Sequence, residues 1–324
     1  MKISVIGTGA YSLAISLELA KKDNKIILWT ENSKIEEEYK KTRQLKSIMD
    51  KKIPQNIKVS NNIEKVLFES DLIYIITASK YVDSVCKKMK SFYNKKTPIC
   101  IATKGIEESS EELLSNVIEN ILEAKHIAVI SGPTFAIDMA NNEPVALAIG
   151  YTSIKAKNLV IDTLENDTLK LRPTKDIIGI QICGAIKNVI AIASGILKGL
   201  GYSDSTQAFL INESLHDIKD IIYYLGGNPK TIMSFAGVGD LMLTCTSTKS
   251  RNFSFGYTIG STKNPNKIKE YLINNTVEGY FTLDTIHRLI KNKKIKIDLI
   301  EVIYNIVYNS EDPTTLLKFL INKK

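Results

Sequence analysis

The sequence predicts an α/β domain followed by an all-helical domain, and two observations lead to that prediction. The first half of the 324-residue chain alternates short, continuously apolar runs with helical or loop segments. After about residue 175, only helical patterns remain. Strands that are apolar on both sides and joined by helices are typical of a parallel sheet covered on both faces. We therefore expect a doubly wound, mainly parallel sheet in residues 1–180 and a helical domain in residues 181–324.

Six apolar runs have the length and the β-branched content of buried strands. In chain order they are KISVIG (2–7), KIILWTEN (25–32), DLIYIITA (71–78), TPICIATKG (97–105), HIAVISGP (126–133) and PVALAIG (144–150). The segment AYSLAISLELAKKD (10–23), which has the pattern of a helix, separates the first two strands. One long apolar helix, residues 176–202, opens the second domain, and we expect it to form the seam of a helical bundle.

Composition excludes several classes of function. The net charge of +8 comes from 43 basic and 35 acidic residues interspersed along the chain, so nucleic-acid binding is not expected. The four cysteines and three histidines show no ligand spacing, so we expect reduced core thiols and no metal. The longest apolar segment, residues 186–197, falls short of the ~20 residues that cross a bilayer, and no signal peptide is recognised. We expect a cytoplasmic protein without a membrane span.

The stretch VIGTGAYSLA (5–14) nearly matches the dinucleotide-binding fingerprint G-x-G-x-x-G. Gly7 and Gly9 fit it, whereas Ser12 occupies the third position, which serves mainly helix–strand packing. The loop follows a strand and opens a helix, so its backbone amides can bind a pyrophosphate in a Rossmann-like domain. Glu31, at the end of the second strand, is placed to bind a ribose diol, which favours NAD over NADP. The alternative is a glycine turn beside an ordinary surface glutamate.

Lys187 and Asn188 stand among very small residues on one face of the long helix. Gly184, Ala191 and Gly195 share that face, which suggests open space above the lysine. One interpretation is a partly buried lysine whose amine reaches solvent. The other is a lysine that faces a cleft between domains and exchanges a proton with a hydroxyl or polarises a carbonyl.

A second polar cluster lies in AGVGDLMLTCTSTKSRNFSFG (236–256), which contains Asp240, Thr244, Ser250, Arg251 and Asn252. An arginine next to an asparagine suits an anion, because guanidinium binds phosphate in a bidentate manner. Alone, the SRN triplet is more often a loop that caps a helix than an anion site.

Taken together, five segments resemble the bacterial-type NAD(P)-dependent glycerol-3-phosphate dehydrogenases. They are ATKG (102–105), VISGPTFA (129–136), GAIKNVIAIASGI (184–196), GDLMLTCTSTKSRN (239–252) and VEGY (277–280). The resemblance implies reversible reduction of dihydroxyacetone phosphate to sn-glycerol 3-phosphate for phospholipid synthesis. It implies NAD(H) as cofactor, with NADP(H) as a second candidate, and a homodimer.

The resemblance also implies roles for individual residues. Lys187 would be the catalytic acid and base at the C2 oxygen of the substrate. The implied substrate-binding residues are Lys104, Gly132, Thr134, Asn188, Asp240, Thr244, Ser250, Arg251 and Asn252. The expected cofactor-binding residues are Gly7, Gly9, Ala10, Tyr11, Ser12, Glu31, Lys104, Ala136, Arg251, Thr276 and Glu278.

The chain departs from the family pattern at three positions. Besides Ser12, Gln207 and Glu213 occupy positions at which the family usually has arginines. Two alternatives stay open at this stage. One is a related β-hydroxyacid dehydrogenase, for which the Arg251–Asn252 pair has no evident use. The other is a catalytically silent NAD-binding sensor, which the two lost arginines favour and the intact Lys187 opposes.

Overall fold

The computed structural model describes residues 1–45, 53–262 and 264–323. The chain divides into two compact units, and the division does not follow the chain in one step. The first unit comprises Met1–Lys104 and Leu113–Ile177, and the second comprises Gly105–Glu112 and Ile178–Lys324. The second unit thus includes a short segment from the first half of the sequence.

The first unit contains eight strands and seven α-helices among its described residues. The strands are β1 Lys2–Ile6, β2 Lys25–Trp29, β3 Ile57–Ser60, β4 Leu72–Ile75, β5 Ile99–Ile101, β6 Ile127–Ser131, β7 Val145–Tyr151 and β8 Leu169–Thr174. The helices are α1 Ala10–Ala20, α2 Ser33–Thr42, α3 Ile63–Leu67, α4 Val82–Met89, α5 Leu114–Leu122, α6 Ala136–Ala140 and α7 Ile154–Leu164.

The strands form one sheet in the order β3-β2-β1-β4-β5-β6-β7-β8. Every neighbouring pair is parallel except β6 and β7, which run antiparallel. The predicted doubly wound, mainly parallel sheet is confirmed. The strand order reverses between β1 and β4, and ligands bind at this switch point in doubly wound folds, beyond the carboxyl ends of the strands.

All six strands predicted from apolar runs are present, but the sequence pattern missed β3 and β8. Both missed strands lie at the edges of the sheet. In β8, exposed Lys170 and Arg172 alternate with buried Leu169 and Leu171, so no continuous apolar run signals the strand. Charged residues on edge strands discourage pairing with other chains, and they also hide the strand from a search for buried runs.

The second unit is helical, as predicted, and no strand lies within its described part. Its helices are α8 Ile177–Gly199, α9 Asp204–Tyr224, α10 Asp240–Thr246, α11 Arg251–Ser261, α12 Pro265–Asn274, α13 Glu278–Asn292, α14 Asp298–Tyr308 and α15 Thr315–Asn322. The predicted long helix corresponds to α8, in which every residue from Gly179 to Leu197 is buried. By length and composition α8 could cross a membrane, but 89% of its most apolar window is buried, as in a core helix.

Glycines bring α8 and α11 into backbone contact. A Cβ atom added at Gly195 would lie 2.0 Å from the Phe253 carbonyl oxygen, and one at Gly256 would lie 1.9 Å from the Ile192 carbonyl oxygen. Gly195 shares the small-residue face of Lys187, and at Gly195 that face is covered by α11. The same close packing fixes the first residues of α11 relative to α8.

The segment Gly105–Glu112 is tied to α13 within the second unit. Arg288 donates from Nη1 to a carboxylate oxygen of Glu111 at 2.6 Å and from Nη2 to the Glu108 carbonyl oxygen at 2.7 Å. Inside the segment, Glu107 accepts four hydrogen bonds from the amides and hydroxyls of Ser109 and Ser110. Burial raises the pKa of the Glu107 carboxyl, but these hydrogen bonds outweigh it and lower the pKa below its usual value.

Candidate functional site

In the first unit, the glycine loop lies between β1 and α1 at the switch point of the sheet. Gly7 has φ of +128°, and a Cβ atom there would lie 2.4 Å from the Ile76 carbonyl oxygen. Its amide donates to the Trp29 carbonyl oxygen at 3.0 Å. Only glycine fits this position without strain, so Gly7 is required by the turn itself.

Gly9 differs from Gly7, because the protein around it does not require a glycine. Its backbone is extended, and a Cβ atom there would meet nothing within 4 Å. Gly9 is exposed at the N-cap of α1, and no described side chain caps this helix end. The amides of the first turn, including those of Ala10 and Tyr11, therefore face space with the positive end of the helix dipole behind them. This geometry fits the pyrophosphate of a dinucleotide.

Ser12 replaces the third glycine and is buried. Its hydroxyl donates to the Ile76 carbonyl oxygen at 2.9 Å, which joins α1 to the end of β4. A serine is thus accommodated by a hydrogen bond within the fold, and its side chain does not enter the space in front of Gly9. The prediction that the substitution alters packing without closing the loop agrees with this placement.

Glu31 follows β2 and is largely exposed. Its carboxylate pairs with Lys88 on α4, a residue that the sequence reasoning missed. The lysine lies 57 positions further along the chain, so no local pattern could have signalled the pair. The positive charge of Lys88 partly cancels the negative charge of Glu31. Glu31 therefore repels a 2′-phosphate less strongly than an unpaired glutamate would.

Four further predicted residues of the first unit lie near the carboxyl ends of β5 and β6. Lys104 donates from Nζ to the Gly132 carbonyl oxygen at 3.3 Å. Thr134 and Tyr11 are joined through their hydroxyl oxygens at 3.1 Å, and Ala136 begins α6 just beyond. The structure thus connects the glycine loop, through Tyr11, to the SGPT segment that the sequence singled out. Gly132 also has a packing role, since a Cβ atom there would lie 2.7 Å from a carbonyl oxygen of β7.

In the second unit, Lys187 forms the centre of a buried polar cluster with Asp240 and Thr244. The lysine Nζ lies 2.5 Å from Asp240 Oδ1 and 2.9 Å from Thr244 Oγ1. The Thr244 hydroxyl donates to the Asp240 backbone carbonyl at 2.6 Å, one turn earlier in α10. The side chains of Lys187 and Asp240 are 8% and 1% exposed. The carboxylate and the hydroxyl hold the buried ammonium group in one position and orientation. Proton transfer to a bound oxygen requires such a fixed geometry.

Asn188 and Asn252 both contact the start of α13. Asn252 accepts the Gly279 amide at 2.8 Å, and Asn188 donates to a carboxylate oxygen of Glu278 at 3.4 Å. A Cβ atom at Gly279 would lie 2.5 Å from the Asn188 carbonyl oxygen, so this position is a close contact between α8 and α13. The predicted residues Asn188, Asn252 and Glu278 are therefore neighbours.

The SRN triplet forms the start of α11. Ser250 caps the helix by accepting the Phe253 amide at 3.3 Å, as the alternative interpretation of the triplet suggested. Arg251 is exposed in the first turn of the helix, and the hydroxyl of Tyr271 donates to its backbone carbonyl. Thr276 is exposed two residues before Glu278, just ahead of α13. Capping does not use the Arg251 side chain, which stays available to an anion.

The cysteines lie in the core of the protein. All four cysteines are free and buried, and burial raises the pKa of the Cys245 thiol despite the nearby Lys187 charge. Across the described ranges, no group of three or more His, Cys, Asp or Glu residues has the geometry to hold a metal ion.

The chain matches two models of one protein family along most of its length. The NAD-dependent glycerol-3-phosphate dehydrogenase N-terminus matches residues 2–157, and the C-terminus of that family matches residues 176–318. A glycerol-3-phosphate dehydrogenase [NAD(P)+] from Thermoanaerobacter sp. (strain X514) is 34% identical, covering 97% of this chain and 94% of the relative. The same enzyme from Wolbachia sp. subsp. Brugia malayi (strain TRS) is 33% identical, with 96% of each chain covered.

A solved structure is also similar over the whole chain. The crystal structure of glycerol-3-phosphate dehydrogenase from Coxiella burnetii superimposes with a TM-score of 0.94 at 29% sequence identity. The similarity covers 99% of both chains. These relatives carry the same name as the family that the sequence motifs resemble.

Proposed function

The chain belongs to the NAD-dependent glycerol-3-phosphate dehydrogenase family, and from that premise we propose that it reversibly reduces dihydroxyacetone phosphate to sn-glycerol 3-phosphate. The observation that carries the proposal is the buried cluster of Lys187, Asp240 and Thr244. It places a fixed ammonium group in a helical unit that follows a dinucleotide-binding fold. An NAD-binding sensor has no need of such a group.

The first unit supplies the residues that would hold the cofactor. The amides at Gly9, Ala10 and Tyr11 would bind the pyrophosphate, because the loop is open there and the helix end is uncapped. Gly7 and Ser12 would shape the loop, and Glu31, Lys104 and Ala136 complete the expected set in this unit. The family resemblance adds Arg251, Thr276 and Glu278, which belong to the second unit. When bound, the nicotinamide would supply the hydride.

Lys187 would protonate the oxygen at C2 of the ketone and accept that proton back in the reverse direction. Asp240 and Thr244 hold its amine in place, so the positive charge is positioned before negative charge develops on the oxygen. Arg251 would bind the phosphate with its exposed guanidinium. The family resemblance also implies substrate contacts by Asn188, Ser250, Asn252, Lys104, Gly132 and Thr134.

We further propose a preference for NADH over NADPH, because the carboxylate of Glu31, which follows β2, would repel a 2′-phosphate. Its pairing with Lys88 reduces that preference, so NADPH is a second, weaker cofactor. We also propose domains at residues 1–180 and 181–324, a homodimer and a cytoplasmic location, as the family resemblance suggests. The physiological role would be supply of the glycerol backbone for phospholipids.

The direct test is oxidation of NADH by the purified protein on addition of dihydroxyacetone phosphate, repeated with NADPH. Dihydroxyacetone, which lacks the phosphate, is the matched control substrate. We expect kcat/KM for it to be lower by about a hundredfold or more, because the guanidinium contact is lost. Absence of turnover with both cofactors would overturn the proposed function, and preference for the phosphate-free substrate would favour another hydroxyacid dehydrogenase.

The phosphate contact has its own variant pair. Arg251→Ala should raise KM for dihydroxyacetone phosphate about tenfold or more, since a charge-assisted contact is lost. Lys267→Ala removes an exposed positive charge on α12 and serves as the control, with kinetics expected to equal those of the parent. Equal KM values in the two variants would reject Arg251 as the phosphate ligand.

A further inference from the structure

Gln207 is one of the two positions at which the expected arginine is absent, and the structure gives it a buried partner. Its Nε2 donates to the Ser194 hydroxyl oxygen at 3.0 Å, and that hydroxyl donates to the Cys245 carbonyl oxygen at 2.8 Å. The three residues come from α9, α8 and α10 and are all buried. A hydrogen-bonded chain thus runs from α9, through α8, to the last turn of α10.

The Cys245 carbonyl needs a partner from outside its own helix. Because α10 ends at Thr246, the carbonyls of its last turn have no amide four residues further along the helix. The Ser194 hydroxyl supplies the missing donor. An amide nitrogen can only donate a hydrogen bond, so the Ser194 hydroxyl oxygen accepts from Gln207. The Ser194 hydroxyl proton is then directed toward the Cys245 carbonyl oxygen.

Ser194 and Lys187 lie on the same face of α8, seven residues apart and ~10.5 Å along the axis. Both contact α10, since Lys187 binds Asp240 and Thr244 at one end and Ser194 binds Cys245 at the other. Cys245 directly follows Thr244 in the chain. Movement of the last turn of α10 would therefore move the Thr244 hydroxyl, which lies 2.9 Å from the lysine amine.

We propose that Gln207 and Ser194 are positioning residues that hold α10 so that Asp240 and Thr244 meet the Lys187 amine. This inference rests on the proposed function, in which Lys187 exchanges the proton with the substrate. Gln207 contacts neither the amine nor its two partners in the structure. It acts through Ser194 and the Cys245 carbonyl.

The surroundings of Gln207 leave room for a longer donor. Gln207 lines a cavity of about 790 Å³, together with Asp204 of α9 and Met242 and Thr246 of α10. An arginine at this position can keep a donor near Ser194, and the rest of its guanidinium can share the Asp204 carboxylate with Lys198, which lies 2.8 Å from it. Gln207→Arg therefore restores a hydrogen-bond donor of a different shape. It separates the effect of the hydrogen bond on activity from the effect of packing.

The experiment compares five variants of the full chain, four single variants and the double variant that combines Gln207→Met with Ser194→Ala. Gln207→Met keeps the volume but loses the donor, and Ser194→Ala breaks the chain at its middle. Gln207→Arg restores a donor. Ser214→Ala is the matched control, because Ser214 is also buried on α9 but its hydroxyl donates only to the Ile211 carbonyl oxygen in the same helix. Each variant is assayed for kcat, for both KM values and for the pH dependence of kcat, and amide hydrogen exchange is measured in residues 240–246.

We expect Gln207→Met and Ser194→Ala to lower kcat about tenfold and to shift its pH profile, with both KM values within about twofold of the parent. The double variant should lose no more than Ser194→Ala alone, because both changes break one chain. Gln207→Arg should recover most of kcat, and Ser214→Ala should leave kcat and its pH profile unchanged. Amides in residues 240–246 should exchange faster in the two broken variants only.

Unchanged kcat in Gln207→Met, or an equal fall of kcat in Ser214→Ala, would overturn the inference. Failure of Gln207→Arg to recover activity would also overturn it, because packing and not the donor would then matter. Hydrogen exchange separates this result from failure of the proposed function. If the parent does not reduce dihydroxyacetone phosphate but the amides of α10 still exchange faster in Gln207→Met and Ser194→Ala, the proposed function is wrong and the positioning role of the two residues stands. If exchange in α10 is unchanged in these variants, the positioning role itself is rejected.

Discussion

Lys187→Met should both inactivate the protein and destabilise it, because the lysine is the counter-charge of a buried carboxylate. Asp240 is 1% exposed, and its carboxylate lies 2.5 Å from the lysine amine. Methionine matches the length of the lysine stem but removes the charge. The buried Asp240 carboxylate would then lose the positive charge with which it is paired.

The expected loss of unfolding free energy is about 3–5 kcal/mol, the usual cost of removing one partner of a buried ion pair. That loss is a large fraction of the ~5–15 kcal/mol that stabilises a typical domain. The double variant Lys187→Met with Asp240→Leu removes both charges, so it should recover to within about 1 kcal/mol of the parent. Thr244 keeps its hydrogen bond to the Asp240 backbone carbonyl in every variant, since that bond needs no side chain at position 240.

Urea unfolding measures the stability of the parent, the single variant and the double variant, and NADH oxidation measures their activity. We expect the double variant to be stable and to bind NADH but to show no turnover, which separates the chemical role of Lys187 from its role in folding. Two results would refute the reasoning. One is a single variant as stable as the parent, and the other is a double variant that retains the parent kcat.

Three further predictions concern the cofactor loop, cofactor preference and pH. Gly9→Ala should leave the free energy of unfolding unchanged but weaken NADH binding about tenfold or more. Gly7→Ala should lower the free energy of unfolding by roughly 1–3 kcal/mol. Urea unfolding and NADH titration distinguish the two variants. Glu31→Ala should raise kcat/KM for NADPH relative to NADH several-fold and Lys88→Ala should lower it, and equal ratios would remove this pair from cofactor selection. Because the pKa of Glu107 is lowered in the folded state, its contribution is present at neutral pH and lost as pH falls through that pKa. Glu107→Gln should therefore be less stable than the parent at pH 7, and the difference should shrink as pH falls through the lowered pKa of Glu107.

Local sequence patterns were enough to predict the sheet, the helical second half and the glycine loop. The six buried strands are signalled by their own apolar runs. Gly7 lies in the turn between β1 and α1, where it contacts the ends of β2 and β4, and its place in the glycine motif is visible in the sequence. The edge strand β8 was missed because charged side chains interrupt its apolar pattern. Lys187 was noticed because it is a lone charge in an apolar helix, and the structure gives it two buried partners.

Contacts between distant parts of the chain could not be predicted in this way. The pattern on α8 did not show that α11 approaches closely at Gly195. Gln207 looked like a mere loss of arginine until the structure placed it against Ser194. Lys88 carries no local signal at all, since its partner Glu31 lies on another element. In each case the cause is a packing partner far away in sequence.

The most direct test of the central claim is the fate of the hydride. NADH deuterated at C4 on the transferred side is incubated with the protein and dihydroxyacetone phosphate, and the product is analysed by mass spectrometry and NMR. The account predicts sn-glycerol 3-phosphate with deuterium at C2, formed by the parent and not by the stable double variant at positions 187 and 240. No labelled product from the folded parent, or equal labelling by the double variant, would contradict it.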